Sequence, residues 1–117
     1  MANPNIVNVT NIIGNTGVLA CTTTATAIVT NSVSSNKVYK VNALYISNND
    51  TTLTYKVTVD LFRSSVAYPI GVNIAIPSGS SLDIVNKSIY LLEGDTLRLT
   101  AEANSKLVAV ASWEEIT

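Results

Sequence analysis

No histidine occurs among the 117 residues, and there is a single cysteine, Cys21. The first absence removes the usual general base, the Ser-His and Cys-His nucleophile pairs and the commonest zinc ligand. The second excludes an internal disulfide, and Cys21, set between Ala20 and Thr22 in a strand-like run, reads as a small core or interface filler. With only five glycines there is no loop to cradle a phosphate. Charged residues make up 13% of the chain, against about a quarter in average soluble proteins. The seven Lys and Arg form no cluster and the net charge is −1, which argues against a groove that tracks a nucleic-acid backbone. No apolar run approaches the ~20 residues of a membrane helix. Residues 1–5 carry neither the basic segment nor the apolar core of a secretion signal, so synthesis in a cytoplasm without export by that route is expected. Together these absences predict a protein that is not an enzyme and has no catalytic residues, no cofactor and no metal.

What is present is alternation. Across residues 53–61, Leu53, Tyr55, Val57, Val59 and Leu61 share one parity, while Thr54, Lys56, Thr58 and Asp60 share the other. Successive strand side chains face opposite ways, so this is a strand with one buried and one wet face. The run before it, residues 38–46, is less clean: Tyr39, Val41, Ala43 and Tyr45 lie on one parity, Leu44 and Ile46 on the other. Either a bulge near Ala43 switches the faces or the strand is covered on both sides. The second reading is preferred, with another subunit covering the outer side. The polar residues 47–51 predict a turn that closes the two runs into an antiparallel hairpin.

The rest of the chain repeats this grammar. Residues 1–5 read as an N-terminal arm, with Pro4 barring regular strand, and residues 6–117 as one β-sandwich domain. Strands are expected at residues 6–13, 18–21, 24–30, 70–76, 82–85, 89–92, 96–101 and 107–113. Turns are expected at Gly14-Asn15, residues 31–36, Ser64-Ser65, residues 77–79, residues 93–95 and Asn104-Ser105. No stretch has a helical period. Eight or nine short strands with frequent turns predict an all-β antiparallel sandwich, jelly-roll or Ig-like, without substantial helix.

The eight carboxylates sit mostly in turns or on outward parity, where solvated surface is the expectation. Glu93 and Asp95 around Gly94 read as a turn capping its own amides, in preference to a calcium cup. Tyr39, Tyr45 and Tyr55 fall on apolar parity and read as core or interface anchors, in preference to stacking platforms for a sugar. A surface this poor in charge resists association weakly. The last strand is apolar on both faces, with Leu107, Ala109 and Ala111 on one and Val108 and Val110 on the other. One apolar face suffices to fill a strand's own sandwich. The surplus face predicts contact with another chain, anchored by Trp113 and rimmed by Glu114 and Glu115. With the covered side of the earlier strand, the expected interface comprises Leu44, Ile46, Val108, Val110, Trp113, Glu114 and Glu115.

Three segments in order carry a resemblance: the opening MANPNIVNVT with its Thr/Ala-rich continuation, the middle KVYKVNALYISN followed by VTVDLFR, and IYLLEGDTLRL closed by ASWEEI. The chain resembles small virion structural proteins of tailed phages, particularly those of marine cyanobacteria. The resemblance implies a capsid decoration (cement) protein that stabilises the shell as a symmetric oligomer, with the major capsid protein or other virion proteins as partners. Assembly would take place in the host cytoplasm. A trimer is expected, because threefold positions suit shell cement. Nucleic acid and membrane are not expected partners. A neck, tail or fibre-base subunit is the alternative, and a carbohydrate-binding module the second.

Overall fold

The computed structural model describes residues 10–117, so the expected arm and residues 6–9 of the expected first strand lie outside the described residues. Nine strands follow: β1 (Ile12–Ala20), β2 (Thr26–Thr30), β3 (Val38–Asn48), β4 (Tyr55–Arg63), β5 (Val66–Ile76), β6 (Ser81–Asp83), β7 (Ile89–Leu91), β8 (Thr96–Ala101) and β9 (Leu107–Ile116). One sheet runs β1-β9-β3-β6, with β7 also on β3; the other runs β2-β8-β4-β5. All pairs are antiparallel. The fold is therefore the expected all-β sandwich, and its strand order is the jelly-roll arrangement of interlocked Greek keys.

Between the sheets lies one core. Val41, Leu44, Ile46, Leu107, Ala109 and Ala111 from the first sheet meet Val29, Val57, Val59, Ile76, Leu97 and Leu99 from the second, all essentially inaccessible. Cys21 joins them, and burial pushes its thiol up to about 11, so it stays protonated and inert at neutral pH.

Several expectations are corrected. The segment after β3 does not close a hairpin, because β3 and β4 belong to opposite sheets. Its turn chemistry is real but builds an arch: the Asp50 carboxylate accepts the amides of Thr52 and Leu53, and Asn48 Nδ2 donates to Leu53 O and Ile76 O. Leu53, assigned to the buried parity, precedes β4 and is exposed. Gly14-Asn15 is no turn; both lie within β1, opposite Glu114 and Trp113. In β3 the bulge reading is the one found. Register slips by one residue between Val41 and Ala43, so Val41, Leu44 and Ile46 all point inward despite their mixed parity.

Polar residues expected at the surface are drawn in. Asp60 does face away from the core, yet it is nearly inaccessible because Arg98 Nε bonds it at 2.9 Å while the guanidinium stacks 4.0 Å from the Phe62 ring centroid. Glu93 and Asp95 are buried. Asp95 caps the Leu92 amide and takes a bidentate pair from Arg63 at 2.9 and 2.5 Å, while Glu93 accepts the Asn36 amide. Asn31 ties the same end together, donating to Lys37 O and Leu91 O. The Ser64-Ser65 turn is found as expected; both residues are left-handed, as a two-residue hairpin between β4 and β5 requires.

The arch gives a pH prediction. The Leu53 and Thr52 amides, with help from Lys106, hold the Asp50 carboxyl down to about 2. A depressed carboxyl contributes stability above its unfolded value that is lost as pH falls through its folded value. Thermal melts of the wild type should therefore lose stability between roughly pH 4 and pH 2, and Asp50→Asn should flatten that slope. Equal slopes for the two proteins would remove Asp50 from the acid response.

Candidate interaction surface

Register places the outward side chains of the first sheet in rows. One row runs Val18, Val110, Tyr45 and Asp83 across β1, β9, β3 and β6; the next runs Ala20, Val108, Ser47 and Ser81; a third runs Thr16, Ser112 and Ala43. Asp83 is the one charged residue in these rows. Val18 is 73% exposed and Tyr45 50% exposed, while Val108 and Val110 between them are half-buried. The reason is sequence-local. β9 alternates small inward residues (Ala109, Ala111) with outward valines, so the sandwich packs closely on one side and leaves apolar surface on the other.

Of the expected interface residues, the structure brings Val108 and Val110 to this face. Leu44 and Ile46 are corrected: they fill the protein's own core and offer no side chain to a partner. Trp113 is no protruding anchor. It turns inward opposite Val41 and Asn15, and its ring lies on Gly17, where a Cβ would come within 2.8 Å of Cη2. Glu115 is held by Lys37 Nζ at 3.2 Å, the Trp113 indole N–H and the Asn15 amide. Burial alone would raise its carboxyl, but the hydrogen bonds from Lys37, Trp113 and Asn15 outweigh this and keep it below the ordinary range. Glu114 accepts from Asn42 at the bulge, which in turn accepts from Ser88. The two carboxylates are thus fastened to their own chain instead of forming a free rim.

Val18 and Tyr45 escaped the sequence reading. Alternation gives Val18 a strand but no face, and it puts Tyr45 on an apolar parity, core or interface, that the bulge turns outward. The sequence offers only an apolar residue at each position; the row they form exists only through pairing.

A cavity of about 470 Å³ opens at the far end, lined by Val33, Phe62, Arg63, Glu93, Gly94 and Asp95 among others. Arg63 and Asp95 satisfy each other there, and Glu93 Oε1 alone lacks a partner. One unpaired oxygen beside a closed ion pair supplies no ligand set. No group of three or more His, Cys, Asp or Glu side chains gathers among the described residues.

Fold and surface together define a jelly-roll sandwich with an apolar row, Val18–Val110–Tyr45, that ends on Asp83 on one outer face. No family model matches the chain, and no curated protein does. Among solved structures, a protein of Bacillus endospore appendages, described as a family of disulfide-linked pili, superposes with a TM-score of 0.53 at 17% identity, covering 91% of this chain and 88% of that one. The nucleoplasmin-like N-terminal domain of Drosophila FKBP39 matches with a TM-score of 0.44 at 8% identity, over 87% of this chain and 85% of that one. At such identities the pilus protein is alike in fold alone.

Proposed function

We propose that the protein is a structural subunit of an assembled particle, and specifically a decoration protein on the capsid of a tailed phage. The observation that carries this reading is the apolar run Val18–Val110–Tyr45, bordered by Asp83, on a sheet face that the chain's own core does not need. Such a face gains by burial against a partner, at roughly 25 cal/mol per Å² of apolar area. Repetition over a lattice turns modest contacts into effectively permanent attachment. The phage assignment rests on the sequence resemblance and the scarcity of charge. In Bacillus a sandwich of this fold belongs to disulfide-linked pili. Here the only thiol, Cys21, is buried and protonated, so linkage between subunits would be non-covalent.

The test is made on particles of the phage that carries this chain. Quantitative mass spectrometry of purified virions should find the protein at copy numbers comparable to the major capsid protein. A few copies per particle would move it to the neck or tail, and absence from the particle would overturn the reading. Tyr45→Lys should melt like the wild type, since half of that side chain is already exposed, yet fail to load onto particles. Full loading of that variant would remove the face from the contact.

A further inference from the structure

We propose that β1 is a self-pairing edge, and that two copies of the chain join β1 to β1 antiparallel about a twofold axis at Thr16, making one continuous sheet. This deepens the assembly reading but draws on a different feature, the backbone of the edge instead of the apolar face.

β1 pairs with β9 on one side only. The Thr117 amide donates to Asn11 O at 3.0 Å and the Cys21 amide to Leu107 O at 2.9 Å, which sets the phase of the ladder. Alternation then turns the backbone groups of Ile13, Asn15, Gly17 and Leu19 toward β9. Those of Ile12, Gly14, Thr16, Val18 and Ala20 point to the free edge, and all five residues are exposed. Among the described residues no strand covers them.

Edges are normally blunted by shortness, bulges, proline or charge. The others here are. β6 has three residues, β2 has five and slips register between Ala27 and Val29, and β5 carries Pro69 and two further slips. β1 has none of these devices: nine residues in unbroken register, without proline and without a charge. The only edge in the described molecule able to match it along its length is β1 of a second copy. Full overlap of Ile12–Ala20 centres the axis on Thr16 and sets Gly14 against Val18, Ile12 against Ala20 and Ile13 against Leu19, so every cross-strand pair is uncharged.

The experiment uses the purified full chain. The wild type should sediment as a dimer or a larger assembly with an even number of chains at micromolar concentration. Thr16→Cys should form an intermolecular disulfide on mild oxidation, because a hydrogen-bonded antiparallel pair holds its Cα atoms about 5.5 Å apart, within disulfide reach. Val18→Cys should not, since two copies of Val18 would be displaced by roughly 14 Å along the strands. Thr16→Pro removes an outward amide and leaves the β9 ladder intact, so it should yield folded monomer. A wild-type monomer, a trimer, or equal cross-linking at both cysteine positions would overturn the edge pairing, whether or not the proline variant folds. A trimer would do so while leaving the particle-subunit reading standing, and absence of the protein from purified virions would do the reverse.

Discussion

Val57→Asp should yield no folded protein. Val57 sits mid-strand in β4, 1% exposed, between Ala101 on β8 and Ile74 on β5. A carboxylate there would lie in the apolar layer between the sheets, and an unpaired buried charge costs several kcal/mol. A domain of this size has about 5–15 kcal/mol in total. Val57→Ala loses only about 2 kcal/mol of burial and should remain folded, which separates charge from volume. Expression in the soluble fraction, followed by circular dichroism and a thermal melt, reads both variants. A soluble Val57→Asp protein with a cooperative melt near the wild-type temperature would mean that this face of β4 is not the core.

Asn48→Ala should be the most damaging of the polar substitutions. The residue is 2% exposed at the end of β3. Its Nδ2 donates to Leu53 O at 2.8 Å and Ile76 O at 2.9 Å, and its Oδ1 accepts the Asp50 amide at 2.9 Å. Its own backbone adds bonds to Ser80 O and from the Gly79 amide. One side chain thus joins the arch from β3 to β4 with the return from β5 to β6, two of the four places where the chain changes sheet at this end. Alanine would strand two carbonyls and an amide, each at about 1–3 kcal/mol when left unsatisfied. A loss of roughly 3–5 kcal/mol by urea denaturation is expected. Asn48→Asp keeps the acceptor and loses both donors, so it should fall below the wild type without reaching alanine. A loss under about 1 kcal/mol for the alanine variant would mean that water replaces the knot.

The apolar face shows how far local pattern reaches. Val108 and Val110 were legible because β9 is apolar on both parities, and one parity is enough for a sandwich. Leu44 and Ile46 were misplaced for a reason equally physical. A single extra residue, Asn42, reverses the faces of everything after it, and two overlapping parities in one strand look the same whether a bulge or a partner subunit causes them. Trp113 was read as an anchor from its size and position near the chain's end. What turns it inward is the empty space over Gly17, ninety-six positions earlier in the chain (113 − 17). The ion pairs Arg98–Asp60 and Arg63–Asp95, whose carboxylates are buried, escaped for a related reason, since each joins residues in strands or turns far apart in sequence.

The class was legible in local pattern: all-β, without helical period, with Val57 and Val59 on a buried face and turns at Ser64-Ser65 and residues 77–79. These follow from the two-residue repeat of a strand and from residues that admit left-handed or proline backbone, both properties of a few neighbouring positions. Only the tertiary structure decided which strands pair. Residues 47–51 have the composition of a hairpin turn, but 47 and 48 finish β3 and the segment after them carries the chain from one sheet to the other. Strand pairing is chosen by burial and by backbone bonds between segments as distant in sequence as Ile12 and Ile116, which pair β1 with β9. Alternation reports that a strand has a buried face and is silent about which strand lies beside it.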